Sequence, residues 1–118
     1  MRRILVVDDE SAIRKLYHKE FLEDGYDVIL AKSGQEALDK IENDRNIDLV
    51  ILDIKMEGMD GLEVLNELRV KTKEIPVILN SAYSTYKSDF TSWLADAYLG
   101  KSYDLTELKE KVQELIPV

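Results

Sequence analysis

Short aliphatic runs that do not alternate with polar residues set the narrowest limits on how this chain can fold. Ile4-Leu5-Val6-Val7, Leu49-Val50-Ile51-Leu52 and Val77-Ile78-Leu79 are apolar throughout. A strand with one wet face alternates, whereas a strand covered on both faces reads as a continuous apolar run. Between the runs lie segments with apolar residues at three- and four-residue steps, the spacing of an amphipathic helix. Residues 3–7 are the first strand, and a helix follows from Ser11 to about Asp24. Ile13, Leu16, Tyr17 and Phe21 share its inner face, and Gly25 is its stop. Residues 26–31 are a second strand.

Ser33 and Glu36 have the spacing of a capping box, in which a serine caps the helix start and a glutamate reaches back. They open a helix carrying Ala37, Leu38 and Ile41. Residues 49–52 are the third strand, ending at Asp53. Asp60 caps a helix with Leu62, Leu65 and Leu68 inward. Pro76 leads into a fourth strand, residues 77–79. Tyr86, Phe90, Trp93 and Leu94 mark a fourth helical face, and residues 97–99 a short fifth strand. Asp104, with Glu107 three residues on, caps a last helix bearing Leu108, Val112, Leu115 and Ile116. Strands that alternate with helices in this way pair in parallel through right-handed crossovers. The expected fold is α/β, a doubly wound five-stranded parallel sheet. At 118 residues the chain makes one domain, residues 1–118.

Composition narrows the function classes. Without cysteine there is no disulfide, thiolate metal site or cysteine nucleophile. Sixteen Lys and Arg against 24 Asp and Glu give a net charge of −8, which argues against nucleic acid or an anionic membrane as a direct partner. No apolar run approaches the ~18 residues of a membrane span, and Ile4–Val7 is too short for a signal-peptide core. The expected compartment is the cytoplasm.

In open sheets of this kind the working site lies beyond the carboxyl ends of the strands. The first strand ends in Asp8-Asp9 and the third in Asp53. The fourth ends at Asn80-Ser81-Ala82, and Gly100-Lys101 follows the fifth. Each element alone has a bland explanation. Asp-Asp after a strand is a common turn and helix cap, Asp60-Gly61 a plain turn, and a lone Ser81 or Lys101 a surface group. Together, acidic, hydroxyl and basic groups at four strand ends have no shared structural cause. Converging carboxylates stay ionised most easily around a cation, and an all-oxygen set suits Mg²⁺. An aspartate beside such a metal and a lysine is equipped to accept a phosphoryl group.

These residues carry a resemblance. Ile4-Leu5-Val6-Val7-Asp8-Asp9, Leu52-Asp53-Ile54-Lys55-Met56, Met59-Asp60-Gly61, Asn80-Ser81-Ala82 and Tyr98-Leu99-Gly100-Lys101 resemble, in order and over about residues 2 to 116, the receiver domain of two-component response regulators. The resemblance implies a flavodoxin-like (βα)5 sheet of strand order 2-1-3-4-5. It implies that Asp53 takes a phosphoryl group from the phosphohistidine of a sensor histidine kinase or phosphotransfer protein. Asp9, Asp53 and the backbone carbonyl of Lys55 would ligate Mg²⁺, with Asp8 holding a metal-bound water. Lys101 would pair with the phosphoryl group, Ser81 would swing toward it, and Tyr98 matches the switching aromatic. The protein would catalyse its own phosphorylation and dephosphorylation without being an independent enzyme. It would act on a downstream output protein or domain through the face formed by the fourth helix and fifth strand.

Two positions depart from the family pattern. Glu57 stands where a proline is usual, and Ser102 follows Lys101 in place of a proline on a cis bond, so a trans bond is expected there. A phosphatase with an aspartate nucleophile would carry a second Asp where Lys55 stands. A mononucleotide binder needs a glycine- and hydroxyl-rich loop where Asp8-Asp9-Glu10 stands. The remaining alternative, a degenerate receiver that binds partners without phosphorylation, should lack an acid, the acceptor or the lysine. His18 is read as a solvated surface residue, and Trp93, Tyr86 and Phe90 as packing. Arg69, Lys71 and Lys73 are read as a solvated helix end with favourable dipole charge. An end at Pro117-Val118, just past the last helix, fits a stand-alone receiver and equally a piece of a longer regulator.

Overall fold

The computed structural model describes residues 1–71, 74–82, 94–102 and 104–117. Its strands are β1 (Arg3–Val7), β2 (Asp27–Ala31), β3 (Leu49–Leu52), β4 (Val77–Ser81) and β5 (Ala97–Gly100). Its helices, among the described residues, are α1 (Ser11–Glu23), α2 (Gly34–Asn43), α3 (Gly61–Lys71) and α4 (Thr106–Leu115). The strands form one parallel sheet in the order β2-β1-β3-β4-β5, as the resemblance implies. The helical face expected at Tyr86, Phe90 and Trp93 lies outside the described residues; Leu94, at its end, is exposed.

The non-alternating runs occupy the middle of the sheet, and both of their faces are covered. One core joins α2 and α3 to the sheet through Leu38, Leu65, Leu68, Val50, Leu52 and Leu79. The other joins α1 and α4 through Tyr17, Phe21, Leu108, Val112, Ile51 and Ile78. β5 is the edge strand, and its residues are half-buried or exposed where β4 is buried throughout.

Local chemistry sets the element ends. Gly25 takes φ 96° and turns the chain out of α1, a conformation that costs a side chain but not glycine. Ser33 Oγ accepts from Glu36 N at 3.1 Å. Glu36, however, reaches one residue further back than a capping box requires, accepting from Lys32 N at 3.3 Å. Asp60 Oδ1 accepts from Glu63 N at 2.9 Å and caps α3. Asp104 sits one residue before the N-cap of α4 and binds Thr106 through its backbone N at 3.0 Å and Oγ1 at 2.6 Å. Lys101–Ser102 is trans, as no described peptide bond is cis.

Arg69 corrects the expectation of a solvated helix end. Its side chain is only 10% exposed. Its guanidinium donates to the carbonyls of Ile75 at 2.7 Å and Leu94 at 3.0 Å and pairs with Asp96 Oδ2 at 3.1 Å. Asp96 Oδ2 also accepts from Val77 N at 2.8 Å. The end of α3 is thereby tied to the starts of β4 and β5. Lys71 stays solvated, 3.9 Å from Glu42, and Lys73 lies outside the described residues.

Inside the α1 face, Tyr17 is 1% exposed, and its hydroxyl donates to Asn80 Oδ1 at 2.6 Å. Burial pushes that phenol up to about 12, with the negative charge of Asp8 adding to the effect. Tyr17→Phe should therefore leave a buried amide oxygen without its donor. The expected destabilisation is about 1–3 kcal/mol, read as a lower denaturant midpoint at unchanged m-value. A midpoint equal to the parent's would refute a net contribution from this bond.

Candidate functional site

The parallel register brings the strand ends together. Val7 pairs with Leu52, and Asp53 N donates to Val7 O at 2.9 Å. The next residues, Asp8 and Asp53, thus leave adjacent strands side by side. The connections from β1 and β3 diverge here, which is where an open α/β sheet places its site. Both carboxylates are almost fully buried, at 2% and 3% exposure.

Lys101 arrives from β5. Its backbone N donates to Ser81 O at 2.9 Å, extending the β4–β5 pairing by one residue. Its ammonium lies 2.9 Å from Asp8 Oδ2 and 3.3 Å from Asp53 Oδ2. Three of the expected residues therefore meet directly. Asp9 is exposed, and one carboxylate oxygen each from Asp8, Asp9 and Glu10 lie within 4.8 Å of one another. Ser81 is 1% exposed at the tip of β4. Tyr98 pairs with Leu79 in register and packs, half-buried, against the α2–α3 core. Lys55 is exposed in the loop beyond Asp53. His18 is half-buried on α1 and belongs to no acidic group of this kind.

The bland reading of Asp8 is also correct in part. Its Oδ1 accepts from Glu10 N at 2.9 Å, an Asx turn that starts α1, while Oδ2 serves Lys101. The loop after Asp53 depends on glycine at Gly61. A Cβ there would collide with the backbone carbonyl of Asp53 and with Ile54 Cα, and Gly61 N donates to Ile54 O at 2.8 Å. Asp60-Gly61 is thus a helix cap joined to a close backbone contact under Asp53.

Burial pushes the Asp53 carboxyl up to about 6, and the neighbouring charge of Asp8 adds to this against the opposing pull of Lys101. Burial raises Asp8 as well, moderated by its bonds to Glu10 and Lys101. Burial alone would lower Lys101, but the carboxylates of Asp8, Asp53 and Glu10 outweigh it and raise the ammonium. The sequence assigned no role to Glu10, yet its Oε1 lies 3.3 Å from Lys101 Nζ. The only local signal was a third acid after Asp8-Asp9.

Comparison with known proteins fits this geometry. The family description "response regulator receiver domain" matches residues 4–113. The chain belongs to that family, and it is a phosphoacceptor receiver domain of two-component signalling. It is 35% identical over 118 residues to sporulation initiation phosphotransferase F of Bacillus subtilis, covering 98% of this chain and 94% of that protein. It is 40% identical over 117 residues to response regulator MprA of Mycolicibacterium vanbaalenii, covering 97% of this chain and 50% of that protein, so it spans about half of that relative. Among solved structures it is similar to the response regulator protein TrrA of Thermotoga maritima in complex with Mg²⁺ and BeF. That likeness has 53% identity and a TM-score of 0.95 and covers 98% of this chain and 100% of that one. It is likewise similar to TrrA in complex with the histidine kinase ThkA, with 53% identity, a TM-score of 0.91 and coverage of 98% and 99%.

The raised carboxyl of Asp53 has a consequence for stability in metal-free buffer. Its folded pKa of about 6 exceeds the ordinary 3.8. The folded state therefore binds more protons between these values, and stability falls as pH rises from about 4 to about 6. Above that window the penalty is complete, on the order of 1–3 kcal/mol. Asp53→Asn should melt a few degrees higher than the parent at pH 7, and the gap should narrow toward pH 4. Equal melting temperatures across this range would contradict the burial argument.

Proposed function

We propose that Asp53 is the phosphoryl acceptor, and that its donor is the phosphohistidine of a sensor histidine kinase or a phosphotransfer protein. The observation that carries this reading is the buried Asp53 carboxylate, 3.3 Å from the Lys101 ammonium and flanked by Asp8. An Asp53 oxygen attacks phosphorus, the N–P bond of the donor breaks, and the imidazole nitrogen keeps the electron pair and later takes a proton.

The donor set fits Mg²⁺. Asp8, Asp9 and Asp53 offer only oxygen, Glu10 lies beside them, and Lys101 is the one cation paired with this group among the described residues. Asp9, Asp53 and the backbone carbonyl of Lys55 would hold the ion, with Asp8 through a water. When bound, it supplies positive charge to the transferring oxygens and to the crowded carboxylates. Lys101 pairs with one phosphoryl oxygen, and the Ser81 hydroxyl donates to another.

Self-catalysed phosphorylation and dephosphorylation follow from these groups, with no independent enzymatic activity. Response regulator TrrA has been solved with a histidine kinase and with Mg²⁺ and BeF, which supports a kinase partner and the metal for this chain. A downstream output protein or domain is the second partner. No described helix is long and apolar enough to cross a membrane, and the net charge of −8 disfavours nucleic acid as a direct partner; a cytoplasmic location is part of this reading. The acceptor, acids, hydroxyl and lysine are all present, so no observation favours a phosphorylation-independent module.

Incubation with acetyl phosphate and Mg²⁺ should add one labile phosphoryl group by intact mass. Chelation and Asp53→Asn should each abolish it. An Asp53→Asn protein modified as fully as the parent would place the acceptor elsewhere.

Ser81 ends β4, and Tyr98 lies on the neighbouring edge strand. Drawing the Ser81 hydroxyl toward the phosphoryl group vacates space into which Tyr98 turns. Phosphorylation, or a fluoroberyllate mimic, should therefore alter amide exchange chiefly in residues 81–104. Changes confined to α1 and α2 would defeat this switching face.

A further inference from the structure

We infer that Glu10 is a positioning residue that restrains Lys101, and that it acts as a brake on phosphoryl transfer to Asp53. The inference rests on the reading of Asp53 as acceptor. An ammonium has three protons to donate and no lone pair to accept with. Among the described residues Lys101 Nζ has three partners: Asp8 at 2.9 Å, Asp53 at 3.3 Å and Glu10 at 3.3 Å. Its donors are therefore fully committed before any phosphoryl group is present.

The three partners differ in kind. Asp8 and Asp53 are buried and held by the strands that precede them, whereas the Glu10 side chain is 62% exposed at the rim. The Glu10 backbone is fixed. Its N donates to Asp8 Oδ1 at 2.9 Å, and its carbonyl accepts from Arg14 N at 3.1 Å. Glu10 occupies the N-cap of α1, yet its side chain makes no capping bond. Serine, threonine, aspartate or asparagine would cap there. The carboxylate at this helix start is instead turned to a lysine 91 residues away in the chain.

When Asp53 carries a phosphoryl group, the N–H of Lys101 that points to Asp53 Oδ2 can turn to a phosphoryl oxygen while the ammonium keeps its proton. A second contact to the same group needs the proton that Glu10 holds. Glu10 therefore competes with the transferring phosphoryl group for the one ammonium that stabilises it. It also contributes negative charge beside the path of an anionic donor. Electrostatic support in phosphoryl transfer counts only as far as it is available in the transition state, so a rim carboxylate on the lysine slows the reaction.

The test is the rate of phosphorylation by acetyl phosphate at saturating Mg²⁺, followed by intact mass, in the parent, Glu10→Gln and Asp53→Asn. Glu10→Gln keeps the side-chain length and removes the charge. It should react about two- to five-fold faster, the scale of one partly exposed ion pair. The gain should appear equally with phosphoramidate, a donor of lower negative charge than acetyl phosphate, because restraint of Lys101 by a contact at 3.3 Å does not depend on the charge of the donor. A Glu10→Gln rate equal to or below the parent's overturns the inference. A gain seen with acetyl phosphate and absent with phosphoramidate also overturns it, since the effect would then be rim repulsion and not restraint of Lys101. A change in melting temperature without a change in rate would assign Glu10 a structural role only. Phosphoryl uptake by Asp53→Asn would instead overturn the acceptor assignment on which the inference depends.

Discussion

Two carboxylates on neighbouring parallel strands, buried against one lysine, are the constraint around which this protein is organised. Asp8 and Asp53 share a level because Val7 and Leu52 pair in register. Both are nearly cut off from water, so burial disfavours the charged form of each, and the charge of Asp8 adds to this at Asp53. Lys101 offsets part of that repulsion without removing it, and the Asp53 carboxyl remains well above its ordinary range. A fold that keeps this arrangement holds unfavourable electrostatics in reserve, which the proposed divalent cation would relieve.

The surrounding structure is consistent with holding that arrangement rigid. The strands before Asp8 and Asp53 are buried on both faces by two separate cores. Gly61 lets the backbone of α3 approach directly beneath Asp53. Asp8 starts α1 with one oxygen and holds Lys101 with the other, so helix placement and site charge share a residue. On the far side, Arg69 and Asp96 anchor the chain where it enters β4 and β5. The edge strand β5 is the least covered of the five, and it delivers both Tyr98 and Lys101. Low burial at an edge lets an element shift at modest free-energy change, which suits a region asked to report a charge event.

Similarity to TrrA over 98% of this chain, at a TM-score of 0.95, extends the agreement from motif to backbone. Within that backbone the rim of the site carries side chains of its own. Glu10 is one such residue here, lying close enough to bond Lys101 while remaining at the surface.

The strands, most helix ends and the acidic, hydroxyl and basic groups at the strand tips were legible in the chain's own residues. Those signals are local: an apolar run, a three- or four-residue step, a glycine at φ 96° after α1, an aspartate that caps its own helix. With the family resemblance the sequence also supplied the strand order, which no periodicity encodes. Which polar group each side chain bonds emerged only in the folded chain. Tyr17 finds Asn80 across 63 residues, and Lys101 finds Glu10 across 91. Arg69, read from sequence as a solvated helix end, closes instead on Ile75, Leu94 and Asp96. Side chains of this length reach several partners from one backbone position. The choice among them depends on which distant strand end the sheet brings within three ångströms or so, a distance set by register and packing and not by neighbours in the chain.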